Sequence, residues 1–288
     1  MSIEQISSNK SYDGFLNKYK AKSNFLGGLE TQFNVFLPKE SAQGKVPVLY
    51  YLAGLTCTED TGAQKGGFLR DAAAHGLAIV FPDTSPRGAG VEGEDDDWDF
   101  GTGAGFYLNA TNSKYAKHYN MYKFVVEELP SILKSGNLPI DTSKASIFGH
   151  SMGGHGALSI YLLNPGLYRS ASGFAPISNP TTAPWGLKAF SNYLKGGVEE
   201  GKSYDTVELI RAGKGPKDED VKILADVGLG DKFYKEKQLL PEELENAVKE
   251  RGWKGVEIRK HEDYDHSYFF VSTFAPEHIA FHAKALKA

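Results

Sequence analysis

Short runs of β-branched and aromatic residues alternate with stretches of helical spacing along most of this 288-residue chain. "TQFNVFLP" (31–38) alternates apolar and polar side chains, as a half-buried strand does. "VPVLYYLAG" (46–54) and "LAIVFPD" (77–83) are continuous apolar runs closed by glycine or Pro-Asp, which predicts buried strands. Between them "AQKGGFLRDAAAHG" (63–76) predicts a helix with a glycine stop. "MYKFVVEELPSILK" (121–134) predicts a second helix, bent near Pro130 because proline lacks the amide that a helix interior needs. "KASIFG" (144–149) predicts another buried strand, followed by a helix of small residues from Met152 to about Leu163.

"SASGFAPI" (170–177), "DVKILADVG" (220–228) and "GVEIRKHE" (255–262) continue the series of strand-like runs. Helices are predicted in "PEELENAVKERG" (241–252) and, closing the chain, "FAPEHIAFHAKAL" (274–286). Strands alternating with helices of this length argue an α/β fold with a mostly parallel central sheet. No repeat or low-complexity linker interrupts the pattern, so a single domain over 1–288 is expected. In such a sheet, ligands sit beyond the carboxyl ends of the strands.

Composition narrows the classes. A net charge of -4 implies no basic surface for nucleic acid. No run approaches the ~18 apolar residues of a membrane span, and the opening "MSIEQISSNKSYDGF" lacks the apolar core of a secretory signal. The single cysteine, Cys57, excludes an internal disulfide framework and suits a reducing compartment, so a cytoplasmic location is expected and the "NAT" sequon at Asn109 is expected to stay unglycosylated.

The chemistry gathers at "IFGHSMGGHGAL" (147–158). Gly149-His150-Ser151-Met152-Gly153 has the form G-x-S-x-G between a strand and a helix, where a serine on a sharp turn needs glycine two positions to either side. Gly154 and Gly156 are read as letting the helix approach the sheet. The helix N-terminus would then aim free N–H groups at charge developing on an oxygen.

A serine hydroxyl needs a base, and the base an orienting acid, which in this fold follow it in the order Ser, acid, His. Four histidines follow residue 155. His278 and His282 lie four apart on the last helix, where surface or packing roles are expected, and His261 ends a strand among charges. His266, in the loop "EDYDHSYFF", is the best-placed base. Asp226 and Asp231, in "ILADVGLGDKF", are both candidate acids. Asp226 ends the strand and is read as a turn cap, while Asp231 lies beyond the turn and is favoured on placement.

Taken together these segments resemble the S-formylglutathione hydrolase (esterase D) family of α/β-hydrolases. The resemblance is carried in order by "YLAGLTCTED" (51–60), "PDTSPRG" (82–88), "GEDDDWDFGTGAGFY" (93–107), "IFGHSMGGHGAL" (147–158), "FAPISNPTTAPWG" (174–186), "GLGDKF" (228–233) and "YDHSYFF" (264–270). It implies an α/β-hydrolase fold with helices on both faces of the sheet. It also implies Ser151 as nucleophile, Asp231 rather than Asp226 as acid, and His266 as base. The N–H groups of Leu55 and Met152 would form the oxyanion hole.

The implied reaction is hydrolysis of S-formylglutathione to glutathione and formate in formaldehyde detoxification, through a formyl-serine, by a homodimer with no cofactor. A formyl group calls for a tight acyl pocket, which Trp98, Phe106 or Trp185 would wall; each is also read as a plain core aromatic. Cys57, in the oxyanion loop, is a candidate for thiol-sensitive inhibition. Asp263 stands where the family usually has glycine, and Ser178 and Ala183 where some members carry cysteine.

Other signals are weaker. "DFG" (99–101) lacks the companion motifs of a kinase, and "GTGAG" (101–105) lacks the third glycine of a dinucleotide fingerprint. His261 and His266 are five apart, off a common helical face, so no metal is expected there. "EGEDDDWD" lacks the calcium-loop positions and reads as a solvated or hydrogen-bonded loop. A broad carboxylesterase or acyltransferase on the same triad, and a binding module without chemistry, are the competing functions.

Overall fold

A computed structural model describes residues 3–287. In chain order the strands are β1 (Ile3–Ser11), β2 (Gly14–Lys22), β3 (Glu30–Leu37), β4 (Val46–Leu52), β5 (Ala78–Pro82), β6 (Ile140–His150), β7 (Tyr168–Phe174), β8 (Ile223–Gly228) and β9 (Val256–His261). They form one sheet in the order β1-β2-β3-β5-β4-β6-β7-β8-β9. From β5 through β9 every pairing is parallel, and β1–β3 extend the sheet antiparallel. Helices cover both faces.

The continuous apolar runs became the centre of the sheet because strands covered on both faces have no polar side to show. Val48, Leu49, Tyr50, Tyr51 and Leu52 of β4 are all buried. Removing each such side chain from water contributes about 1.5–3 kcal/mol. Tyr51 packs against Phe68, Phe81 and Phe148 at ring separations of 4.9, 5.6 and 5.0 Å, which ties β4 to its neighbours β5 and β6.

The chain leaves β4 toward β5 on one side, and β6 lies on the other. The carboxyl ends of β4 and β6 therefore bound the crevice where strand order reverses, with Leu52 paired to Gly149.

Several elements depart from the pattern. β1 and β2 were not foreseen, because most β1 residues remain exposed or half-exposed and its sequence shows no apolar face. The helix expected over 63–76 is two, Glu59–Lys65 and Leu69–His75, split at Gly66-Gly67 where Gly67 takes φ +73°. The irregularity expected near Pro130 is a π-helical turn over Phe124–Glu128, between a short helical turn, Met121–Lys123, and the helix Leu129–Ser135. The closing helix begins earlier than expected and runs Tyr268–Lys287, with Pro276 inside it.

Candidate active site

β6 ends at His150 and the helix Met152–Leu163 begins immediately, so Ser151 alone turns the chain, at φ 57° and ψ -118°. Such a conformation costs a non-glycine residue about 1–3 kcal/mol and persists only where the surroundings impose it. Here Ser151 N–H donates to the Phe174 carbonyl (2.9 Å), and the Ser151 carbonyl accepts from His155 N–H (3.0 Å) and Ile177 N–H (3.3 Å).

The flanking glycines are steric requirements. A Cβ on Gly149 would stand 2.2 Å from the Gly153 carbonyl oxygen, and one on Gly153 would stand 1.9 Å from that of Leu52. Gly153 is thus the residue that brings the helix against β4. Gly154 serves the expected sheet contact, its Cβ position lying 3.4 Å from the Gly149 carbonyl oxygen of β6 as well as 2.9 Å from Pro176, whereas Gly156 meets the Tyr107 ring in a connecting segment.

Beyond β8 the chain turns through Gly228-Leu229-Gly230 to Asp231. A Cβ on Gly228 would approach the Tyr264 carbonyl oxygen to 2.2 Å, and one on Gly230 would approach that of Asp263 to 2.9 Å. The missing side chains let the 263–266 loop lie directly on this turn, and His266 Nδ1 comes 2.5 Å from Asp231 Oδ2. Asp231 is fully buried, and its Oδ1 accepts the Phe233 N–H at 2.7 Å, capping the helix Lys232–Lys235. The carboxylate is held at both oxygens. The His266 ring lies 4.5 Å from that of His150, the residue before Ser151. Burial pushes His150 well below the usual histidine range, so this neighbour is neutral at physiological pH.

Leu55 follows Gly54, whose Cβ position would be only 3.1 Å from the Cβ of Ser151. Just after it, Thr56 N–H donates to the Gly103 carbonyl and Cys57 N–H to that of Gly54. Among the described residues no acceptor takes the Leu55 N–H. Met152 opens its helix, and first-turn amides have no partner inside a helix. Two unengaged donors thus flank the serine, one from each side of the crevice.

Of the aromatic residues singled out, Trp98 and Trp185 meet edge to face at 5.7 Å. Trp185 packs on Phe233 at 4.7 Å, and Phe233 packs edge-on to His266 at 4.8 Å. The row runs from an exposed indole to the imidazole. Phe233 was missed because it reads as an ordinary helix residue. Phe106 stands outside this row, fully buried 6.2 Å from the His155 ring. Cys57 is half-buried, and burial raises its thiol pKa despite hydrogen bonds with Thr61 and Tyr268. The acidic loop is engaged internally. Glu94 is buried and accepts from Tyr119 Oη (2.7 Å), and Lys188 bridges Asp97 and Asp99.

The competing residues form a second Ser–His–Asp chain. Ser172 Oγ lies 2.8 Å from His278 Nδ1, and His278 Nε2 lies 3.1 Å from Asp226 Oδ2. All three are fully buried, so no substrate reaches this serine. Asp226 is not the turn cap it was read as. Arg259 holds it through two 2.6 Å bonds, and His261 Nε2 is 3.2 Å away. Burial alone would raise the Asp226 pKa, but hydrogen bonds from His278 and Arg259 outweigh it and hold the carboxyl well below the usual range. His278 and His282 are core residues rather than surface ones, with His282 bonded to Ser170 and Ser172.

Comparison with known proteins agrees over the whole chain. The Esterase family model matches residues 23–281. The S-formylglutathione hydrolase of Mus musculus is 48% identical over 288 residues, covering all of both chains. That of Arabidopsis thaliana is 48% identical over 285 residues, covering 99% of this chain and 98% of its own. The solved structure of an S-formylglutathione hydrolase from Agrobacterium tumefaciens superposes with a TM-score of 0.92 at 41% identity, covering 98% of this chain and 99% of that one.

Proposed function

The chain belongs to the Esterase family of α/β-hydrolases, among the S-formylglutathione hydrolases, and from that premise we propose that it hydrolyses S-formylglutathione to glutathione and formate with Ser151 as nucleophile. The observation that carries the assignment of roles is the buried Asp231 carboxylate, fixed at both oxygens, on Nδ1 of His266. That bond leaves Nε2 as the nitrogen to take the serine proton, and it stabilises the imidazolium that results.

Ser151 Oγ attacks the thioester carbonyl as its proton passes to His266. The Leu55 and Met152 N–H groups receive the oxyanion, and each such donor is worth about 3 kcal/mol of barrier. The carbon–sulfur bond then breaks. A thiol of pKa near ~8.5 leaves readily as thiolate, so little depends on proton donation to sulfur. The departing thiolate then takes the proton held by His266, and the imidazole, neutral again, deprotonates the water that attacks the formyl-serine; His266 returns that proton to Ser151 as formate leaves.

The row Trp98–Trp185–Phe233 supports an approach path to His266, with Trp185 and Phe233 beside the reacting centre and Trp98 at its exposed end. Phe106, in the core, is better read as support. A homodimer acting in the cytoplasm without a cofactor completes the reading. Among the described residues no helix is long and apolar enough to cross a membrane.

The test is turnover of S-formylglutathione against short p-nitrophenyl esters and alcohol acceptors, with Ser151→Ala as control. Preference for the thioester and loss of all hydrolysis in Ser151→Ala support the reading. Faster turnover of bulky oxygen esters would assign a general carboxylesterase instead.

A further inference from the structure

The segments "PDTSPRG" and "GTGAG" contribute no reacting group, yet both converge on the loop that carries Leu55. Arg87 Nε donates to Asp83 Oδ2 (2.6 Å), and its Nη2 reaches both Asp83 Oδ1 (2.9 Å) and the Cys57 carbonyl (3.0 Å). Thr84 Oγ1 donates to the same carbonyl at 2.5 Å. Asp83 is buried and also accepts the Thr84 N–H at 2.7 Å. From the other segment, the Gly103 carbonyl takes the Thr56 N–H (2.9 Å), and Gly103 N–H in turn donates to Ser85 Oγ (2.8 Å).

Thr56 lies at φ 66°, a conformation that a β-branched residue adopts only when its neighbours impose it. The loop is therefore held at two consecutive residues, by Gly103 at the Thr56 amide and by Thr84 and Arg87 at the Cys57 carbonyl. The Gly54 carbonyl, in one peptide plane with the Leu55 N–H, accepts the Cys57 N–H (3.3 Å), so the contacts that hold Thr56 and Cys57 act on the direction of the Leu55 N–H through that bond.

We propose that Arg87 is a positioning residue for the oxyanion hole: its guanidinium, locked in plane by Asp83, pins the Cys57 carbonyl and so aims the Leu55 N–H at the oxyanion. This rests on the proposed role of Leu55 as an oxyanion donor. Arg87 touches none of the reacting atoms. Its loss acts on the transition state, lowering kcat while leaving KM near its original value. Lysine cannot replace it, because an ammonium lacks the planar fork that serves a carboxylate and a carbonyl together.

The experiment measures kcat and KM of Arg87→Ala, Arg87→Lys and Thr84→Val with S-formylglutathione and with p-nitrophenyl acetate, whose hydrolysis needs the same oxyanion hole. In both Arg87 variants kcat falls about 10- to 100-fold with KM within threefold, the scale set by misplacing one donor. Thr84→Val falls less, and combined with Arg87→Lys it loses less than the product of the two separate losses, since both groups hold one carbonyl. The Arg87 side chain is 37% exposed, so added guanidinium reaches the vacated place and restores several-fold of the lost kcat in Arg87→Ala.

Unchanged kcat in the Arg87 variants, a rise in KM at constant kcat, or no recovery with guanidinium overturns the proposal. If Arg87→Ala does not fold, Arg87→Lys and Thr84→Val decide by the same split. A wild type that hydrolyses p-nitrophenyl acetate but not S-formylglutathione defeats the substrate assignment alone, and the clamp is then judged on the ester.

Discussion

His266 Nδ1 and Asp231 Oδ2 stand 2.5 Å apart, and the second oxygen of the same carboxylate is occupied by the Phe233 amide. Asp231→Asn keeps the shape but offers Nδ1 an amide, which favours the wrong tautomer. A drop in kcat of about 10³- to 10⁴-fold with little change in KM is expected. Steady-state kinetics beside circular dichroism checks it; an Asn variant within tenfold of wild type would remove Asp231 from the triad.

Asp226→Asn should do the opposite. Removing the carboxylate leaves Arg259 and His278 without their buried partner, at a cost of about 3 kcal/mol in stability. The kcat of the folded fraction should stay within a few-fold of wild type. Urea denaturation and active-site titration separate the two effects, and a large kcat loss in fully folded protein would contradict this assignment.

Acid should destabilise the fold above the carboxylate range. Burial drives His155 down to about 4 and His150 and His282 well below their usual value; His278 is also lowered, despite its bond to Asp226. Each binds its proton more readily when unfolded, so stability rises with pH between the folded and unfolded pKa and falls as pH drops below ~6.5. By pH 5.5 His155 alone, lowered to about 4, costs about 1 kcal/mol. Chemical denaturation from pH 7.5 to 5 should show a steady loss; a flat profile would mean these rings are charged or exposed. Asp226, held low, adds its own loss only below the ordinary carboxylate pKa.

Asp263 lies at φ 63°, in the left-handed region. Asp263→Gly relieves this strain against the entropy of a freer unfolded chain, and a net gain of about 0.5–1 kcal/mol is expected with unchanged kcat. Thermal unfolding reads it directly.

Alkylation of Cys57 should lower activity, because the thiol lies in the loop proposed to carry the oxyanion donor Leu55. Since burial raises its pKa, N-ethylmaleimide should react slowly at pH 7 and faster at pH 9. Full activity after mass-confirmed modification would refute the effect.

The parallel sheet was legible because its strands are apolar throughout, and the serine turn because its glycines are steric necessities. β1 and β2 were not, since mostly exposed β1 presents no periodic face. Placement favoured Asp231 over Asp226 and family resemblance named it, but the reason lies in Gly228 and Gly230, whose bare backbones admit the histidine loop. Of the surface and packing roles open to His278 and His282, the structure gives packing. Four residues apart, they share one helical face, and polarity alone does not reveal that a set of buried serines and a carboxylate awaits them. Trp98, expected either to wall a tight pocket or to pack as a core aromatic, is instead exposed, with its ring edge to face with Trp185.

The π-helical turn over Phe124–Glu128 carries one residue more than a regular helix would need to span it. Deleting a single residue there would let the backbone close into an uninterrupted α-helix. It would also rotate everything upstream by about 100°. Met121, whose side chain fills the space beside Gly105, would swing away from the GTGAG segment. A shorter and locally more regular helix would thus loosen a brace of the oxyanion loop from more than twenty residues downstream in the chain, so that at this point extra length, rather than regularity, preserves the shape of the reacting centre.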